Sequence, residues 1–136
     1  MDNKLLENKD INLNSLRNVF DNAGFKTEII DGELVIQKES IKSIIYIRSD
    51  LVSIVSKFRL KPDLDNEIIE SKLVQLNHGT YPARYFTNDD KKTLIISITY
   101  FTGVGIYIPH FILTANAYLG FIPLDFKRVD CSDILV

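Results

Sequence analysis

The alternation of apolar and polar positions divides the chain into helices and strands with little ambiguity. Leu13, Leu16, Phe20 and Ala23 recur at helical spacing, with Asn12 placed to cap and Gly24 to stop, which predicts an amphipathic helix over 12–23. Residues 25–30 and 34–37 read as strands around Asp31-Gly32, a two-residue hairpin signal. Ile41, Ser43, Ile45 and Ile47 alternate with Lys42, Ile44, Tyr46 and Arg48, the period-two pattern of a half-buried strand. Ser49-Asp50 then turns the chain into 51–60, where Val52, Ile54, Phe58 and Leu60 share one face and Lys57 and Arg59 the other.

Pro62 ends that strand, because it cannot donate to a ladder, and Asp63 is placed to cap the next helix. Leu64, Ile68, Ile69, Leu73 and Leu76 form its apolar stripe over 64–78, with acids early, Lys72 and His78 late, and Gly79 as the stop. Strands at 81–87 and 92–102 enclose the turn Asn88-Asp89-Asp90. The second has no cleanly polar face and reads as a central strand covered on both sides. Pro109 opens a third helix through Gly120 that is apolar nearly all round, so it is expected to be deeply buried or covered by a partner. Residues 1–11 read as a loose lead-in, and 125–136 as an unassigned tail.

These elements predict one α+β domain over 1–136: a twisted antiparallel sheet of about five strands with three helices, in the order α-β-β-β-α-β-β-α. The chain length of 136 residues suits a single core. Sixteen Lys and Arg against eighteen Asp and Glu give a net charge of −2, so no global basic field recruits nucleic acid or an anionic membrane. No secretory h-region is visible at the start, and the apolar tract 93–124 is broken by Gly103, Gly105, Pro109 and His110. A small cytoplasmic, bacterial-type protein with no nucleic-acid or membrane partner is the expectation.

The candidate chemistry is sparse. His78 and His110 lack metal-ligand spacing, and Cys131 has neither a CxxC neighbour nor a flanking base. Gly103-Val104-Gly105 lacks the rest of a phosphate loop. Asp63, Asp65, Glu67 and Glu70 read as capping and solubility rather than a metal cluster, and Asp89-Asp90 as a hairpin tip. No nucleophile, base and orienting group assemble, so no catalytic, metal or cofactor residues are expected. What remains is a surface. Tyr46, Arg48, Lys57, Arg59 and Arg84 could bind a partner or an anionic ligand, since arginines grip phosphate or carboxylate bidentately. Phe111, Leu113 and Tyr118 on the last helix are candidates for a helix interface.

Four runs carry a resemblance to a known family: Leu16-Arg-x-Val-Phe-x-x-Ala-Gly-Phe-Lys26, Phe58-Arg-Leu-Lys-Pro62, Val74 with Leu76 and Asn77, and Ala83-Arg-Tyr-Phe86. Across about residues 13–119 the chain resembles the YbjN family of small bacterial proteins, often labelled sensory transduction regulators. The resemblance implies a fold similar to type III secretion chaperones, commonly dimeric, with no established catalytic activity. It places Asn77 at the end of the middle helix and Gly103 and Gly105 before the last. The last helix departs from the family in being so apolar. Two functions follow as expectations: a non-catalytic, chaperone-like protein-binding or regulatory homodimer, or a small-molecule or nucleotide sensor binding an anion on the sheet face. If Phe58 lies in the core, Phe58→Ala is expected to cost about 3–5 kcal/mol in a urea melt, and under ~1 kcal/mol would refute the assigned strand register.

Overall fold

A computed structural model describes residues 4–79 and 82–136. The chain begins with β1 (Leu5–Leu6) and α1 (Leu13–Asn22), followed by β2 (Lys26–Ile30), β3 (Glu33–Lys38), β4 (Ile41–Arg48) and β5 (Leu51–Arg59). Next come α2 (Asn66–Asn77), β6 (Arg84–Thr87), β7 (Thr93–Phe101), β8 (Ile106–Tyr107) and α3 (Ile108–Val129). Among the described residues, six strands form one antiparallel sheet in the order β2-β3-β4-β5-β7-β6, and β1 pairs with β8 in a separate ribbon. The α+β class with three helices stands. The sheet has six strands where about five are expected, because the β2–β3 and β4–β5 hairpins place four strands before α2.

Local chemistry explains the first half. Asn12 and Ser15 close a reciprocal capping box: the Ser15 N–H donates to Asn12 Oδ1 and the Asn12 N–H to Ser15 Oγ, each at 2.9 Å. Asp31 (φ 51°) and Gly32 (φ 78°) both take the left-handed conformation that a type I′ hairpin turn requires. On the inner sheet face Leu34, Ile36, Ile45, Val52, Ile54, Leu94 and Ile96 are buried against Leu16 and Phe20 of α1 and Phe111 and Tyr118 of α3. Burying such side chains is the main stabilising term.

Among the described residues, no helix lies on the outer face. Val35, Ile44, Tyr46, Val55 and Ile95 are only half-buried there, and Thr99 and Phe101 are exposed. This corrects the expectation that β7 is covered on both sides. Its apolar Ile95 is shielded from within the sheet, by cross-strand neighbours Lys57 and Phe86.

α3 departs most from expectation. It runs to Val129, past Gly120 and Pro123. Phe111, Ala115, Tyr118, Ile122, Asp125 and Val129 form one buried stripe, and that burial outweighs the local cost of a glycine and a proline. Asp130, at φ 56°, ends it. Lys72 of α2 donates to the Val129 and Asp130 carbonyls at 3.0 and 2.7 Å, satisfying acceptors that the helix end leaves open. The tail is ordered. The Lys61 N–H donates to the Ile134 carbonyl and the Val136 N–H to the Arg59 carbonyl, so residues 134–136 line the end of β5.

Two smaller corrections follow. α2 starts at Asn66 with Asp65 in the cap position and no side-chain capping bond, while Asp63 sits in the turn at φ 60°. From Lys4 onward the lead-in is not loose: the Ile108 N–H donates to the Lys4 carbonyl at 2.7 Å, and β1 packs over Gly105; residues 1–3 lie outside the described residues. A Cβ on Gly105, whose φ is +91°, would lie 2.7 Å from the Leu6 carbonyl oxygen. The strand expected from residue 81 is seen from Arg84; Tyr81 lies outside the described residues. Among the described residues, no helix is long and apolar enough to cross a membrane.

One polar chain is built into the core. Ser43 Oγ lies 2.7 Å from Ser56 Oγ, and Ser56 Oγ lies 2.9 Å from Tyr118 Oη. The Tyr118 hydroxyl donates to the Ile96 carbonyl at 2.8 Å. Tyr118→Phe is therefore expected to cost about 1–3 kcal/mol by urea denaturation, through loss of a buried hydrogen-bonded network. A loss below about 0.5 kcal/mol would show that the network contributes little. Phe58 is half-buried, edge-to-face on Phe126 at 5.0 Å, which places Phe58→Ala at the lower end of its range, about 3 kcal/mol.

Candidate functional site: the open face of the sheet

Strand alternation puts Tyr46, Arg48, Lys57, Arg59 and Arg84 on one side of the sheet, the side without helices. Across the middle of that face runs the row Val35, Ile44, Val55, Ser97 and Arg84, each opposite the next in register. On one side of it lie Tyr46, Ser53 and Thr99, and on the other Lys57, Ile95 and Phe86. The centre is therefore apolar and half-buried, while Arg48, Lys57, Arg59 and Arg84 stand exposed around it. The Arg84 guanidinium sits 5.0 Å from the Phe86 ring centroid, a cation–π contact that holds it along the face. Tyr46 is held next to Glu33; its burial, and then the nearby carboxylate, push its hydroxyl pKa upward.

The five residues share a face but not a pocket. Lys57 and Arg59 line an open groove of about 930 Å³ at the end of β5, together with Lys61, Lys91 and Lys92. Phe58, Leu64 and Ile69 give it apolar wall, and Asp63, Asp89 and Asp90 add opposite charge. Lys61 is occupied by the Ser132 carbonyl at 2.8 Å, and Lys91 lies 3.9 Å from Glu70. Arg84 lines a different hollow of about 560 Å³ with Ser97, Thr99, Tyr100 and His110. Lys91 and Lys92 escape the sequence reading because only the β5–β7 register brings them beside Leu60, whose N–H donates to the Lys92 carbonyl.

The helix-interface candidates divide sharply. Phe111 and Tyr118 are 1% and 0% exposed, so both belong to the core and not to a free surface. An all-round apolar helix gives no sign of which side faces inward, and the hydroxyl of Tyr118 is used by Ser56 and Ile96. Leu113 is 66% exposed and shares the outer side of α3 with Phe121 and Leu124.

Several other polar groups make contacts within the fold. Asp125 is buried, accepting from the Tyr85 hydroxyl at 2.5 Å and from Arg128 Nη2 at 3.3 Å. Burial, then the bond to Asp125, raises the Tyr85 pKa well above the usual tyrosine range, so it stays protonated. His110 Nδ1 is 3.1 Å from the Tyr100 hydroxyl. The Cys131 thiol is buried, and desolvation raises its pKa, which disfavours the thiolate a nucleophile needs. Asn77 serves the sheet: its side-chain amide donates to the Tyr85 carbonyl and accepts from the Tyr85 N–H, both at 2.9 Å, so it occupies the outer edge of β6.

Neither a family model nor a curated protein matches this sequence. A solved structure does. YbjN from E. coli, whose description assigns it provisionally as a transcription regulator, superposes with a TM-score of 0.77. The match covers 93% of this chain and 96% of that one at 14% identity. The chain thus has a YbjN-like α+β fold.

Proposed function

We propose that this chain is a non-catalytic regulatory module that binds protein, in a chaperone-like manner, works as a cytoplasmic homodimer, and uses the open face of its sheet as the binding surface. The observation that carries the reading is the composition of that face. Half-buried Val35, Ile44, Val55 and Ile95 are flanked by exposed Arg48, Lys57, Arg59 and Arg84, with Glu28 the exposed acid beside Val35, in a chain of net charge −2. Such a surface suits an extended segment that mixes apolar and acidic residues: apolar side chains supply burial, and carboxylates meet the cations. The regulatory description of YbjN supports the same class. Shape gives further support, because a sheet covered on one side leaves a flat, pleated surface for a second layer.

A second reading is favoured by the groove beside this face. Lys57, Arg59 and Lys92 line it from β5 and the β6–β7 hairpin, beside Lys61 and Lys91, which Ser132 and Glu70 engage, and this set suits a small phosphate- or carboxylate-bearing ligand. Thermal-shift measurements with nucleotides and dicarboxylates separate the two; no stabilisation by any of them counts this reading out.

Peptide selection against the immobilised protein tests the first reading. Enriched sequences are expected to combine Asp or Glu with aromatic or aliphatic residues, and to lose at least about tenfold in affinity to the double variant Lys57→Glu, Arg84→Glu. Enrichment of basic sequences, or binding indifferent to that variant, would overturn it.

A further inference from the structure

A six-stranded open sheet has two edges, and here they are treated differently. At β6 the Asn77 side chain occupies the backbone of Tyr85, donor and acceptor both. At the other end β2 has no strand beyond it among the described residues. The turn geometry says which backbone groups it offers. In a two-residue type I′ hairpin the closing pair, here Ile30 and Glu33, exchanges hydrogen bonds, and bonded pairs then alternate. Ile30, Glu28 and Lys26 therefore bond to β3, while the N–H and C=O of Thr27 and Ile29 point away from the sheet. The Phe25 N–H is already used by the Phe20 carbonyl at 3.0 Å.

We propose that two copies of this chain pair β2 with β2 in antiparallel register about Thr27, joining their sheets into one; this rests on the homodimer part of the reading above. The register follows from charge. A two-fold axis at Thr27 lets the two Thr27 residues exchange N–H···O=C bonds, and sets Lys26 opposite the partner's Glu28 and Glu28 opposite the partner's Lys26. Lys26 and Glu28 are both exposed on the open face, and neither has an ion-pair partner among the described residues. On the inner side Ile29, 37% exposed, comes opposite the partner's Phe25. The next register, centred on Glu28, sets two carboxylates against each other and leaves Lys26 facing an isoleucine, so charge selects the first. The occupant is thus a second copy rather than an unrelated strand, because the edge is self-complementary. Joining the edges also makes the two open faces continuous, doubling the surface offered to a long partner segment.

Charge reversal with rescue tests this, read as molar mass by size-exclusion chromatography with light scattering. The unmodified chain is expected to elute as a dimer. Lys26→Glu and Glu28→Lys, each setting like charges opposite one another twice, are expected to raise the dimer Kd at least about tenfold, and the double variant Lys26→Glu, Glu28→Lys to restore it. Leu124→Lys on the outer side of α3 is expected to leave the dimer intact. A dimer that survives both single reversals but dissociates in Leu124→Lys overturns the β2 pairing while leaving the homodimer reading standing. A monomeric unmodified chain overturns both. Circular dichroism on each variant confirms folding, which surface positions such as these are expected to keep.

Discussion

The structure depends on holding α3 against one face of an open sheet. An antiparallel sheet of six strands has an apolar side that must be buried, and α1 alone, ten residues long, is too short to cover it. α3, at twenty-two residues, supplies the rest. Its inner stripe is fixed by apolar packing and by the Tyr118 hydroxyl, which joins Ser56, Ser43 and the Ile96 carbonyl from three strands. A buried hydroxyl left without partners would cost free energy, so this chain selects one seat for the helix among the many that greasy packing alone allows. The Phe20–Phe111, Tyr100–Phe111 and Phe58–Phe126 ring contacts extend the same arrangement along the helix.

The open face follows from that commitment. Once all three helices are spent on the inner side, residues such as Ile44, Val55 and Ile95 remain only half-sheltered by their cross-strand neighbours. The cations around them stay solvated and keep the surface from being uniformly apolar. The edges complete the picture: Asn77 closes one by imitating a peptide group, and β2 leaves the other available.

Much of this was legible in the sequence wherever the physics is local. The Asn12 cap, Asp31-Gly32, and the alternation in β4 and β5 each rest on contacts within a few residues, and each appears at its place. What failed was non-local. α3 outruns Gly120 and Pro123 because Ile122, Asp125 and Val129 find a core that no window of residues reveals. Phe111 and Tyr118 could not be told from Leu113, since an all-round apolar helix carries no moment strong enough to orient it. For the candidate surface, alternation alone groups Tyr46 with Arg48 and Lys57 with Arg59; that these pairs share a face with each other and with Arg84 follows only from the strand registers. The groove that adds Lys91 and Lys92 exists only because β7 returns beside β5, a pairing that the sequence pattern does not encode.

One sheet face is sealed and the other is open in the free protein. Methyl NMR with a soluble paramagnetic relaxation agent measures this residue by residue. Strong relaxation is expected for the Val35, Ile44, Val55 and Ile95 methyls, and protection for those of Leu34, Ile45, Ile54 and Ile96. Equal protection of both sets would contradict it, for it would mean that the outer face is already covered.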